Sequence, residues 1–322
     1  MTTPAPRRWK SIVLPLLGCA LLAPAVYALT PANAPAPEPA TVATKAPPRP
    51  LLWKVSDKDN ALYLLGSFHL LKADDYPLSS DIEAAFSDAE KLVFEVPPSE
   101  LTDPAVAQKM QLAAGYGDER KLSTVLPTDV REKLAQMLGA GGVAQLEAFE
   151  PWYVNLALLL GVSQTMGFHA DQGLDQHLMR RAAEANKPTA GLETIDQQLQ
   201  ALDSTPIGEQ ITGLQEFLDD PVEVSKSLRD MHDAWRAADI ERLSALAIDE
   251  MRNKAPQTYR LINVQRNDAW VPQLRQMLDA SNQDDVLVVV GAMHLLGSDG
   301  VIAKLRAKGY QVERICTACG TK

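Results

Sequence analysis

Two histidines more than 200 residues apart share one local context. Gly66-Ser67-Phe68-His69 closes the apolar run "LYLLG", and Gly291-Ala292-Met293-His294 closes "VLVVVG"; Leu-Leu follows each histidine. Imidazole is the commonest side-chain ligand of transition metals near neutral pH. In α/β sheets, chemistry gathers at the carboxyl ends of parallel strands. If the strands ending at the two glycines are neighbours, both rings face one pocket, and glycine lets each chain turn there without a side chain in the way. Glu95 ends a third apolar run, "KLVFEV", where a carboxylate is costly to bury unless paired or ligated. His69, His294 and Glu95, with positions left open for water, would make a catalytic metal set. The metal-free alternative uses one histidine as a general base oriented by a glutamate. Glu193, at the strand-to-helix junction of "TAGLET", is a second carboxylate able to serve as ligand or base. Arg266 and Asn267, expected just before the helix that carries Trp270, are candidates for binding substrate or steadying developing negative charge.

Other polar groups carry less. A lone buried histidine is usually a hydrogen-bonded core residue. In "FHADQGLDQH", Asp175 and His177 are two apart on an expected helix and point to different faces. Asp175 at the helix start reads as a cap, and His169 with Asp171 reads as solvated loop. His232 and Trp235 read as an ordinary helix face. No Gly-x-Ser-x-Gly elbow, Walker loop or His-Glu-x-x-His occurs.

The elements needed to position these residues follow from patterning. Strands are expected at Trp53–Val55, Ala61–Leu65, Lys91–Val96, Asp285–Val290 and Tyr310–Ile315, with a short one at Thr189–Thr194. Helices are expected from the capping box at Ser80 to Ala89, over Val143–Phe168, over Gly173–Lys187, after the capping box at Thr194, repeatedly between Thr205 and Ala280, and over Ser298–Lys308. The order strand, Gly-x-x-His turn, helix, strand occurs at both ends of the folded region. The expectation is therefore an α/β fold in which two related βαβ units form one central sheet, with a large helical insertion at about 100–282, all within one domain spanning 51–322.

The N-terminus reads as targeting rather than fold. Arg7, Arg8 and Lys10 precede an apolar stretch ending in a small-x-small pattern at Ala28, so residues 1–28 are expected to be a signal peptide and the chain exported, to a periplasm or the outside. Leu16 to Cys19 also resembles a lipobox, which would make Cys19 a lipid anchor. Membrane contact is otherwise not expected. Residues 29–50 are Pro/Ala-rich and expected to be a disordered linker. Net charge is −10, and loss of the leader removes three positive charges and leaves −13; this argues against nucleic acid as a partner. Cys316 and Cys319 then remain, and a local disulfide fits an exported chain.

The segments "LYLLGSFHLL", "LVFEV", "GLDQHL", "GLET" with Gln197 beyond it, "RND-W" and "VVVGAMHLLGSDGVIAKLRAKGYQV" resemble the TraB/GumN family, which is related to the Tiki metalloproteases. Together they span about Leu51 to Ile315. The resemblance implies a hydrolase dependent on a divalent metal ion such as Mn, Co or Zn, metalloprotease-like, with the paired histidines and a glutamate at its centre. On this sequence those are His69, His294 and Glu95. The expected substrate is a peptide or another small envelope compound. The rival expectation is a non-catalytic accessory of envelope polysaccharide, or a metal- or haem-binding protein, because a shared fold does not fix a substrate.

Overall fold

A computed structural model describes residues 45–280 and 284–320. The expected leader, with Cys19, and residues 29–44 of the expected linker lie outside the described residues. Residues 45–50 lie against the body: Pro48 and Pro50 are buried, the Arg49 amide donates to the Arg236 carbonyl at 2.9 Å, and Arg314 Nη2 donates to the Pro50 carbonyl at 2.8 Å.

Apolar runs bounded by turn residues build a six-stranded sheet. Leu52–Ser56 (β1) and Ala61–Ser67 (β2) form an antiparallel hairpin. Its polar turn is closed by Asp57 Oδ1, which accepts from the amides of Asp59 and Asn60. The other strands are Lys91–Phe94 (β3), Thr189–Gly191 (β4), Val286–Gly291 (β5) and Gln311–Ile315 (β6). Their order is β4-β3-β5-β2-β1-β6. Every residue of β2 and β5 is buried, which is why both read as nearly unbroken apolar runs. The edge strands β4 and β6 are half exposed.

The two βαβ units interleave instead of lying side by side. β2 leads through the Ser80–Asp88 helix to β3, passing over β5; β5 leads through the Val301–Ala307 helix to β6, passing over β2 and β1. The result is that the two histidine-bearing strands are direct neighbours. β2 and β5 pair in parallel, from Leu62 opposite Val286 to Ser67 opposite Gly291. The motifs are offset by one residue in this register, since Gly66 faces Val290. Their backbones also differ: β2 runs into a bend, whereas β5 runs into a single helical turn, Ala292–Leu295.

Several element bounds differ from the sequence reading. Ser79, not Ser80, caps the Ser80–Asp88 helix. The apolar stretch expected as one helix is two, Thr128–Leu146 and Pro151–Thr165. Pro151 explains the break, because it has no amide to donate and disfavours helix in the residue before it. The capping box of Thr194 with Gln197 is present and opens the Ile195–Asp203 helix. β4 ends at Gly191, so Glu193 stands in the short link between strand and helix.

The long Pro221–Ala237 helix is clamped to the segment after β2. The buried Asp75 carboxylate lies 2.9 Å from His232 Nε2, pairs with Arg236, and accepts from the Lys72 amide at 2.8 Å. Three residues on, Trp235 Nε1 donates to the Gly66 carbonyl at 3.0 Å, tying this helix to the first glycine turn. His232 is thus a buried, partnered core histidine rather than part of an ordinary face. Cys316 and Cys319 form a disulfide after β6. Among the described residues no helix is long and apolar enough to cross a membrane.

Candidate active site

Pairing of β2 with β5 brings His69 and His294 to one end of the sheet, and β3 on the far side of β5 delivers Glu95 between them. Glu95 Oε1 lies 3.9 Å from His69 Nε2 and 3.9 Å from His294 Nε2. All three side chains are at most 4% exposed. Gly291 opens the space between them. A Cβ there would sit 3.1 Å from His69 Nε2, 3.2 Å from Glu95 Oε1 and 3.6 Å from His294 Cδ2.

Each ring is fixed through its Nδ1. That of His69 is 2.7 Å from Asp175 Oδ1, and that of His294 is 2.8 Å from Asn267 Oδ1. Asn267 in turn donates Nδ2 to the Asp299 carbonyl at 2.9 Å, which leaves its Oδ1 to accept from His294. Both rings therefore carry a proton on Nδ1 and turn Nε2 towards Glu95. A carboxylate or amide behind each ring is the arrangement that orients histidine ligands. Asp175, a helix cap by its position in the sequence, makes no capping bond and is buried against His69. Asn267, expected to steady charge on a substrate, is fully buried with both ends engaged. It positions His294 instead.

Arg266 is the hub of the charges. Its Nη2 is 2.7 Å from Glu95 Oε2 and 2.6 Å from Glu193 Oε1, its Nε is 3.1 Å from both Glu193 oxygens, and its Nη1 is 3.1 Å from His294 Nε2. Arg266 and Asn267 lie within a continuous helical stretch, not ahead of it. The π-helical turn Arg260–Gln265 runs straight into the Arg266–Leu278 helix. Such π-turns recur at functional sites, where the extra residue re-aims the side chains that follow. Gln198 Nε2 donates to Glu95 Oε2 at 3.2 Å and Glu193 Oε1 at 3.3 Å, the Gly291 amide donates to Glu95 Oε1 at 2.7 Å, and Trp270 Nε1 donates to Glu193 Oε2 at 3.2 Å. The Trp270 ring also packs on His294, with centroids 4.5 Å apart.

The electrostatics follow from these contacts. Burial opposes ionisation of Glu95, but Arg266, the two imidazoles and the Gly291 amide outweigh it and hold the carboxyl down at about 2. Burial and the adjacent guanidinium keep His294 neutral, down to about 3. For His69, burial disfavours the charged ring, yet the Asp175 carboxylate and Glu95 prevail and raise its pKa. Burial raises Glu193 despite its pairing with Arg266.

The donor set fits a metal ion in kind. His69 Nε2 is buried with no hydrogen-bond partner, Gly291 keeps a side chain out of the space beside it, and two buried carboxylates, Glu95 and Glu193, share one guanidinium while a third, Asp175, backs His69. Uncompensated buried charge of that sign favours a further cation. As the side chains stand, among the described residues no group of three or more His, Cys, Asp or Glu is gathered closely enough to hold an ion, and Arg266 Nη1 stands against His294 Nε2. A cleft of about 330 Å³ adjoins this centre at Glu193, Arg266 and Trp270 and is lined further by Gln197, Gln265 and Gln273; His69, His294 and Glu95 lie behind that wall.

The remaining histidines stay outside. His169 pairs its backbone with Leu71, and His177 stacks on Tyr76 at 4.4 Å. Asp175 and Gln198 were the residues missed, although each carries a readable signal. Asp175 shares a helix stripe with buried Leu178, Met179 and Ala182, and Gln198 shares one with buried Ile195, Leu199 and Leu202. A polar residue on an apolar stripe is a buried polar residue that needs a partner.

A model of the TraB/PrgY/gumN family matches residues 51–314. Among curated proteins, "Uncharacterized protein YbaP" of Escherichia coli (strain K12) is 25% identical over 245 residues, covering 76% of this chain and 87% of that protein. The protein of the same name from Shigella flexneri matches equally. No solved structure matches the chain.

Proposed function

The chain belongs to the TraB/PrgY/gumN family, and on that footing we propose that it is a metal-dependent hydrolase acting on peptide bonds, with His69, His294 and Glu95 as its ligands. The observation that carries this reading is Glu95 Oε1 equidistant, at 3.9 Å, from two Nε2 atoms whose rings are both locked from behind. When bound, such an ion would supply a water acidified to a pKa of ~7 and a Lewis acid for the substrate carbonyl. Asp175 and Asn267 hold the two rings in the tautomer that leaves Nε2 free. Glu193, lining both the centre and the cleft, is the base that takes the proton of the attacking water. Arg266, beside it on the cleft wall, faces the negative charge that grows on the substrate carbonyl oxygen. The glutamines that line the cleft offer the substrate uncharged hydrogen-bonding groups.

Export belongs to the same proposal. It rests on the leader-like residues 1–28, and the Cys316–Cys319 disulfide fits an oxidising compartment. The substrate would then be a peptide or another small envelope compound.

One observation favours a second reading. His69 backed by Asp175, with Nε2 unpartnered, is also a base with its orienting carboxylate, which needs no metal. Elemental analysis of the purified protein, with peptide and ester hydrolysis before and after exhaustive chelation, separates the two. The metal reading expects an ion in wild type that is lost in the His69→Ala/His294→Ala double variant, and hydrolysis that chelation abolishes. Wild type and double variant both lacking an ion reject it, and hydrolysis that survives chelation selects the second reading.

A further inference from the structure

We propose that Arg266 is a built-in occupant of the cation position, so that its guanidinium and a divalent ion exclude one another. The inference deepens the metal reading and rests on it. Arg266 Nη1 lies 3.1 Å from His294 Nε2, the lone pair a metal would need, and Nη2 lies 2.7 Å from Glu95 Oε2. One side chain therefore engages two of the three proposed ligands. His69 Nε2, the third, is the ligand atom with no hydrogen-bond partner.

The same contacts supply a place for the arginine to go. Nε and Nη2 already grip both oxygens of Glu193. Glu193 and Arg266 both line the cleft of about 330 Å³, so the guanidinium can keep Glu193 while releasing Glu95 and His294. Trp270 supports the side chain on that route, with the guanidinium 4.8 Å above its ring. The helix of Arg266 follows a π-helical turn, and Nη1 also donates to the Ile262 carbonyl within that turn at 3.2 Å. Without an ion, the arginine is the counter-charge for two carboxylates that are otherwise buried together. With an ion, it becomes a like charge beside the metal and its bonds to Glu95 and His294 must break. Arg266 thus keeps the site folded when empty and lowers its affinity for metal.

The test is calorimetric titration of Mn²⁺, and separately Zn²⁺, into chelator-stripped wild type and the Arg266→Gln and Arg266→Lys variants, with thermal melts of each. Arg266→Gln is expected to bind the ion roughly 10- to 100-fold more tightly, since the charge-assisted hydrogen bonds no longer have to be broken. It is also expected to melt below wild type without ion and to recover with it. Arg266→Lys, which keeps the charge but cannot span three groups at once, is expected to bind more tightly by a smaller factor, and it carries the test if the glutamine variant does not fold. Variants that bind no more tightly than a metal-binding wild type overturn the proposal and leave the metal reading standing. Tighter binding that survives an added His294→Ala change places the ion elsewhere and also overturns it. No binding by any of the proteins removes both.

Discussion

Replacing Gly291 by alanine puts one methyl group into the space shared by the two imidazoles and the glutamate. The backbone accepts it, because φ is −51° and ψ is 134° at Gly291, ordinary values for any L-residue. The new Cβ would stand 3.1 Å from His69 Nε2 and 3.2 Å from Glu95 Oε1, closer than comfortable contact by a few tenths of an ångström. Neither neighbour is free to give, since His69 is held by Asp175 and Glu95 by Arg266, Gln198 and the Gly291 amide. Overpacking of this kind costs about 1–3 kcal/mol, while stiffening the unfolded chain returns about 0.4–1 kcal/mol. The net loss is therefore at most about 2.5 kcal/mol, a fall of several degrees in Tm, and the fold survives. Metal binding has less margin, because the methyl crowds the space beside His69 Nε2 and Glu95 Oε1 that an ion held by both would take. Gly66→Ala is the control. Its Cβ meets Ala292 Cα at 3.1 Å and Leu51 Cβ at 3.2 Å, away from the ligand atoms, so it should destabilise without acting directly on the ion. Thermal melts and calorimetric titration on both variants read the two effects apart. A folded Gly291→Ala protein with unchanged ion affinity would refute the placement of the site.

Asp175→Asn should fold, because an amide oxygen can still accept from His69 Nδ1, but ion affinity should fall roughly 10- to 100-fold in the same titration. Asp75→Asn should cost about 3 kcal/mol in urea unfolding, since it leaves Arg236 and His232 facing a neutral amide in the core. Burial opposes ionisation of Asp75, but His232, the Lys72 amide and Arg236 hold its pKa below the usual value in the folded state. Its stabilisation is then complete above about pH 4 and fades as the pH falls through the lower folded value. The gap between wild type and variant should accordingly close as the pH falls below about 4, and a gap that widened there would contradict this. Replacing Cys316 and Cys319 by serine opens a loop of sequence separation 3, which by chain entropy costs about 2 kcal/mol at most. Ion affinity should not change, since the disulfide lies beyond β6 at the far edge of the sheet.

Much of the site could be read from the sequence because its physics is local. An unbroken apolar run ending in glycine must be a buried strand with a tight exit, and a histidine just beyond it must lie at the strand's carboxyl end. Glu95 stood out as a carboxylate in an otherwise apolar strand. The neighbouring of β2 and β5 was only a condition, because strand pairing is non-local and no periodicity records it. The interleaved crossovers that make them neighbours are for the same reason invisible in either segment alone. Asp175 was hidden by an ambiguity of type: an acid in a helix's first turn serves equally as a cap or as a buried partner, and only its shared stripe with Leu178 and Met179 favours the second. The central place of Arg266 depends on the π-helical turn before it, which shifts the phase of the side chains that follow and leaves no mark that simple helical spacing would reveal.

The most direct measurement is anomalous diffraction from crystals grown with Mn²⁺ or Zn²⁺, with data collected at the metal's absorption edge. A single peak at bonding distance from His69 Nε2, His294 Nε2 and Glu95, with the Arg266 guanidinium drawn towards Glu193, is the expected result. A fully loaded ion bound elsewhere, with Arg266 still against His294, would contradict it.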